Sequence, residues 1–139
     1  MPTRNASAVW EGDLKTGKGT MRMAAWEGPY SFASRFEQGS GTNPEELLAA
    51  AHAGCYSMAF SNGLAGAGHT PTRVATTAKV TLDKAPDGFR ITTVELDCQA
   101  SVPGIDPKKF QELAEGAKKG CPVSKLFAGA EIRLNARLV

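Results

Sequence analysis

The chain has 139 residues, of which 42% are hydrophobic and 22% charged, the composition of an ordinary soluble globular domain. Sixteen basic residues against fourteen acidic ones leave a net charge of +2, too balanced to argue for nucleic acid or a membrane surface as a partner. Nothing after Met1-Pro2-Thr3-Arg4 has the apolar run of a signal peptide, and no stretch approaches a membrane span. The expectation is one domain over residues 1–139, working in the cytoplasm.

The N-terminal third reads as strands over about 6–14, 19–27 and 30–37, broken by glycines and Pro29. In the last of these, Phe32, Ser34 and Phe36 would share one face and Arg35 would point the other way. Asn43-Pro44-Glu45-Glu46 then carries helix-start signals: an N-cap, proline at the first helical position and a capping-box glutamate, Glu46, at the third. The helix should run to about Gly63 or Leu64. It is apolar nearly all round, which predicts a buried central helix.

Two alternating segments follow. Val74, Thr76, Ala78, Val80 and Leu82 face one way, and Val94, Leu96, Cys98, Ala100 and Val102 do the same in the next run. Lys84-Ala85-Pro86-Asp87-Gly88 supplies a hairpin loop between them. Asp106-Pro107 opens a helix with Phe110, Leu113, Ala114 and Ala117 as its stripe and Gly120 at its end. Cys121-Pro122 opens a short helix through about Phe127, and Ile132, Leu134, Ala136 and Leu138 mark a last strand. The paired lysines Lys108-Lys109 and Lys118-Lys119 read as solvated helix faces. The order predicts an α+β fold with an antiparallel sheet wrapped on the core helix.

Three cysteines in a cytoplasmic chain speak for redox or metal chemistry more than for structural disulfides. Their spacing with the two histidines matches no zinc pattern, and there is no glycine-rich phosphate loop. Cys98 lies on the apolar face of a strand and reads as an inert core thiol. Cys55 sits mid-helix among small apolar residues, where a free cysteine is often only a core residue. To act as a nucleophile it needs a positive partner, because burial opposes the thiolate. His52, three residues earlier, is on nearly the same face and makes a Cys–His pair conceivable. Arginine is the stronger candidate, since it stays charged when buried, and Arg35 is the one considered. A carboxylate would have to orient it, and Glu45, unlike the capping Glu46, is free for that task. Cys121 precedes a helix start, where free N–H groups favour a thiolate.

Taken together and in order, several motifs resemble the OsmC/Ohr family of thiol peroxidases, and most closely its OsmC branch. They are Ser34-Arg35-Phe36-Glu37, Gly41-Thr42-Asn43-Pro44-Glu45-Glu46-Leu47-Leu48 and Ala50-Ala51-His52-Ala53-Gly54-Cys55, then Thr70-Pro71-Thr72, Val102-Pro103-Gly104-Ile105-Asp106 and Gly120-Cys121-Pro122-Val123-Ser124. The resemblance implies a peroxidatic Cys55, a resolving Cys121, an activating Arg35 and Glu45 as the carboxylate that orients it. It implies an intertwined homodimer with sites at the subunit interface, acting on organic hydroperoxides and more weakly on hydrogen peroxide. A dithiol such as a lipoylated protein would reduce it again, without metal, haem or flavin. Cys98 has no counterpart in the pattern, and Gly54 stands where alanine is more usual.

Spacing adds a constraint. Glu45 and Cys55 are ten residues apart, roughly 15 Å along a straight helix and about 80° apart in direction. Glu45 cannot serve Cys55 within one such helix, so the expectation is that it serves the Cys55 of a second subunit. Three other readings fit the residues: a non-enzymatic stress-induced dimer that binds an apolar ligand, a thiol redox sensor, and a Cys–His hydrolase.

Overall fold

The computed structural model describes residues 1–139. The chain divides into two compact units, Met1–Leu47 and Leu48–Val139. In the first, strands β1 (Ser7–Glu11), β2 (Lys18–Met23) and β3 (Trp26–Tyr30) form a three-stranded antiparallel meander. The run expected as one strand over 19–27 is therefore split by a turn at Ala24-Ala25. Trp10 packs on Tyr30 with ring centroids 5.3 Å apart across the sheet, and Gly19 between them leaves no room for a Cβ, which would lie 2.4 Å from the Tyr30 ring.

The strand expected over 30–37 is a correction. Residues Phe32–Phe36 form a short helix, α1. Its start is a reciprocal capping box: the Ser34 N–H donates to Ser31 Oγ at 3.1 Å, and the Ser31 N–H donates to Ser34 Oγ at 2.8 Å. Alternation misled here because Phe32 and Phe36 are also one helical turn apart. Their rings lie 4.9 Å apart, while Ser34 is buried on its own account.

Helix α2, Pro44–Gly66, begins in the first unit and continues through the second. Asn43 caps it as expected, its Oδ1 accepting from the Glu46 N–H at 2.8 Å. The second half of the box is not made, because Glu46 accepts from Thr42 Oγ1 at 3.1 Å instead. The helix is not buried all round within the chain. His52, Tyr56, Phe60 and Leu64, spaced four apart, are its buried stripe, and Ala50, Gly54, Met58 and Asn62 form an exposed one. No helix of the structure is long and apolar enough to cross a membrane.

In the second unit, β4 (Arg73–Ala85) and β5 (Gly88–Ser101) form a long antiparallel hairpin closed by Pro86-Asp87. Gly88 takes a positive φ of 125° at the turn, which only glycine adopts without strain. Strand β6 (Glu131–Leu138) pairs with β5 in parallel, which corrects the expected all-antiparallel sheet. The cause lies in the connection: helices α3 (Pro107–Gly120) and α4 (Pro122–Leu126) fill it, and a helical crossover returns the chain in its original direction. The alternation itself holds. Val94, Leu96, Cys98, Ala100 and Ala136 are buried on one face, and Asp97 and Arg137 pair at 2.8 Å on the other. That buried face joins Tyr56, Phe60, Leu64, Phe110 and Ala114 in one core. Phe60 meets Phe110 edge-on at 5.2 Å.

Candidate functional site

Two clusters account for the four candidate residues, one in each unit. In the first, the end of α1 is tied to the start of α2. The Ser34 hydroxyl donates to the Thr42 carbonyl at 2.7 Å, and Asn43 Nδ2 donates to the Ser34 carbonyl at 2.9 Å. This brings Arg35 onto Glu45. The guanidinium grips the carboxylate as a fork, Nη2 at 2.7 Å from Oε1 and Nε at 3.2 Å from both oxygens. Such a pair fixes direction as well as distance. The Arg35 side chain keeps 35% of its surface exposed, against 10% for Glu45. The Arg35 guanidinium carbon also lies 5.4 Å from the centroid of the Phe36 ring. The structure brings these two residues together, and a helix, not the expected strand, delivers the arginine.

In the second unit the two separated cysteines meet. Helix α3 ends and α4 begins at Cys121, which is fully buried and serves as the C-cap of one and the N-cap of the other. Its Sγ lies 2.8 Å from Cys55 Sγ, and both thiols are free. Burial pushes the Cys55 thiol up, and its contact with Cys121 adds to that, opposed by the Val123 N–H. Burial also acts against a Cys121 thiolate, yet the contact with Cys55 and the polar groups of Ser124 and Val123 at the start of α4 outweigh it and leave Cys121 below its usual value. Either thiol can donate across the 2.8 Å contact. The surroundings lower the Cys121 thiol and raise that of Cys55. Cys55 also opens on a cleft of about 700 Å³, lined among others by Met58, Ala59, Asn62, Leu113 and Pro122. Phe60, two residues beyond Met58, belongs to the core and not to this cleft.

His52 does not serve Cys55. Its Nε2 lies 2.7 Å from Ser124 Oγ, and its ring packs edge-on against Phe127 at 5.2 Å. Burial holds the imidazole below its usual pKa. The direction was legible: His52 falls on the same four-residue spacing as Tyr56, Phe60 and Leu64. Ser124 as its partner was not, since the two are 72 residues apart. Cys98 is a buried strand residue whose thiol burial pushes up. No three His, Cys, Asp or Glu side chains group closely enough to hold a metal ion.

An arginine locked on a carboxylate and a pair of free thiols in contact are the geometry on which comparison with known proteins can be read. A peroxiredoxin OsmC of Escherichia coli (strain K12) is 49% identical over 138 residues, covering 97% of this chain and 96% of that protein. An organic hydroperoxide resistance protein of Xanthomonas axonopodis pv. citri is 37% identical over 96 residues, 66% of this chain and 63% of that protein. The crystal structure of the organic hydroperoxide resistance protein OhrB of Bacillus subtilis superposes with a TM-score of 0.71 at 24% identity, over 96% of this chain and 98% of that one. The fold is thus one seen in that protein. The family model described as OsmC-like protein matches residues 37–136, a span that holds Glu45, Cys55 and Cys121 and begins two residues after Arg35. With most of its length matched by that model and nearly all of it by the Escherichia coli protein, the chain belongs to the OsmC family.

Proposed function

We propose that the chain is a thiol-dependent, peroxiredoxin-like peroxidase that reduces organic hydroperoxides, and hydrogen peroxide more weakly. The observation that carries this reading is the 2.8 Å contact between Cys55 and Cys121, beside a cleft with an apolar lining. The names of the relatives, a peroxiredoxin and an organic hydroperoxide resistance protein, agree with it. The Cys55 thiolate attacks the distal oxygen of the hydroperoxide, forming a sulfenic acid and releasing an alkoxide that leaves as the alcohol. Cys121 then attacks the sulfenic sulfur. The S–S bond forms, the S–O bond breaks, and water departs. An external dithiol, such as a protein-bound lipoyl group, reduces the disulfide and resets both thiols.

Cys55 needs a cation for the first step, because its surroundings in its own unit raise its pKa. Arg35 is that cation in this reading. It stabilises the Cys55 thiolate and the charge on the departing oxygen, and Glu45 orients it. Helix geometry separates Glu45 from Cys55 along α2, so the pair acts on the partner subunit's Cys55. The exposed stripe of α2 supports a homodimer. Ala50 and Gly54 are small enough for close helix approach, and Met58, 77% exposed, is a large apolar side chain left in water. The two units of each chain then work as one functional domain with the long helix covered in the dimer.

The test is consumption of an organic hydroperoxide and of hydrogen peroxide with a lipoyl dithiol as reductant, followed by mass spectrometry of the oxidised protein. Turnover with a Cys55–Cys121 linked peptide pair is expected. Absence of dithiol-dependent turnover would instead favour the ligand-binding dimer, and a disulfide without turnover the redox sensor.

A further inference from the structure

We propose that an external reductant attacks the oxidised pair only at Cys55, through the cleft between α2 and α3. The buried Cys121 thiol beside it then expels single thiols and makes a dithiol obligatory. The inference rests on the peroxidase reading above, in which Cys55 and Cys121 form a disulfide.

The two sulfurs touch, yet their surroundings differ. Cys121 is fully buried, with 0% of its surface open to solvent. Cys55 is partly exposed and lines the cleft of about 700 Å³. Gly120 and Pro122, the neighbours of Cys121 on either side, also line that cleft, but Cys121 does not. The junction of α3 and α4 thus turns the Cys121 side chain inward, to 2.8 Å from Cys55 Sγ. Exchange between a thiol and a disulfide requires the attacking sulfur to reach one sulfur of the bond. From the cleft, only the Cys55 sulfur offers an approach. The far wall of the cleft is built on α3, from Leu113, Gly116 and Gly120, off the α2 stripe assigned above to the dimer.

In the first step a thiolate of the reductant attacks Cys55 Sγ. A bond between the reductant sulfur and Cys55 forms, and the Cys55–Cys121 bond breaks. The electron pair leaves on Cys121, which takes up the proton that the reductant released. The polar groups of Ser124 and Val123 at the start of α4 lower the Cys121 thiol and suit it to leave. The freed sulfur stays in its buried place, in contact with Cys55. Held so close, it acts at an effective concentration far above that of a thiol in solution. It attacks Cys55 again and expels a single thiol, and the protein is left oxidised. A dithiol escapes this return, because its second thiol is tethered too. That thiol loses its proton, attacks the reductant sulfur of the mixed disulfide and closes a cyclic disulfide. Cys55 departs as a thiolate. The dithiol is oxidised, and both cysteines are reduced.

Access to the two sulfurs is measurable without peroxide. Dithiobis-nitrobenzoate is added to the Cys121→Ser and Cys55→Ser proteins, with Cys55→Ser/Cys121→Ser as the blank for Cys98. Cys55 should react at least about tenfold faster than Cys121. Equal rates in the folded proteins would overturn the proposal. The site of attack is read on the disulfide made with diamide. Mercaptoethanol is added, the reaction is quenched in acid at once, and the freed thiol is alkylated. Peptide masses should place the mercaptoethanol adduct on Cys55 and the alkyl label on Cys121. The reverse placement would sink the idea. Gly116→Leu, whose Cβ meets nothing within 4 Å, should fill the cleft and slow this attack about tenfold. No slowing would put the entrance elsewhere and overturn the route.

The part given to Cys121 predicts a gain of function. With an organic hydroperoxide, the parent should turn over at least about a hundredfold more slowly with mercaptoethanol than with a lipoyl dithiol at equal thiol concentration. Cys121→Ser stops at the sulfenic acid without added thiol. With mercaptoethanol it should turn over within about tenfold of its rate with the dithiol, since no returning thiol remains. A Cys121→Ser protein that still demands a dithiol would end this role for Cys121. If the parent forms no disulfide with peroxide, the peroxidase reading falls, while the access rates and the adduct placement still decide where a reductant attacks.

Discussion

Cys121 Sγ lies 2.8 Å from Cys55 Sγ, although 66 residues separate them in the chain. One comes from the middle of the longest helix, the other from the junction between α3 and α4. Within its own unit, the surroundings raise the Cys55 thiol and lower that of the fully buried Cys121. A peroxidase requires the reverse order at the moment of attack, and a guanidinium beside Cys55 would supply it.

Removal of one thiol should stop the cycle at a defined point. Cys121→Ser is expected to consume one equivalent of hydroperoxide per chain and then hold a sulfenic acid on Cys55, detected by a sulfenic-acid-specific label and intact mass. Cys55→Ser should consume none, and full turnover in that protein would end the peroxidase assignment.

The fork between Arg35 and Glu45 makes its own prediction. Arg35→Ala should lower the rate constant for peroxide by about a hundredfold or more, and Arg35→Lys should recover little of it, because a lysine cannot match the two-pronged carboxylate contact. Subunit exchange tells which chain the arginine serves. Mixing Arg35→Ala chains with Cys55→Ser chains should restore activity, since an intact Arg35 then meets an intact partner's Cys55. Mixed dimers as inactive as either parent would place the arginine and cysteine of one site in the same chain.

Buried neutral His52 ties stability to pH. Its folded pKa lies below the usual 6.5, so the unfolded chain binds the proton more readily. Stability should therefore be fully present above about pH 6.5 and fall as the pH drops below it. Urea unfolding at a series of pH values checks this, and His52→Gln should flatten the slope between neutral and mildly acid pH.

Gly54 separates the packing of the chain from the packing of the dimer. A Cβ there meets nothing within 4 Å in the single chain. Gly54→Leu should leave the helical signal and the cooperative unfolding of the chain in place, and an ordinary residue in place of glycine should even favour the helix by several tenths of a kcal/mol. If the exposed stripe of α2 packs on its copy, the same change should weaken dimerisation at least about tenfold, seen by sedimentation. An unaffected dimer would move the interface elsewhere.

Local chemistry was readable wherever a residue's neighbours in sequence decide its state. Asn43-Pro44 and Asp106-Pro107 start their helices as written, and the alternation of Val94, Leu96, Cys98 and Ala100 selects the buried face of β5. The motifs also identify the family. Ambiguity began where two periods coincide: Phe32 and Phe36 lie on one face of a strand and of a helix alike, and the Ser31–Ser34 capping box chose the helix. The direction of β6 depends on the helices of α3 and α4 that carry the chain back, and alternation says nothing of direction.

By itself, then, the sequence determined the starts of α2 and α3, the buried face of β5, the family and the inventory of reactive groups, because those follow from short-range spacing and residue type. Only the tertiary structure decided which groups meet. It set Arg35 on Glu45, Cys55 on Cys121 and His52 on Ser124. Hydrogen bonds and sulfur contacts act over about 3 Å, and which side chains come that close depends on how distant elements pack, a quantity no local pattern encodes.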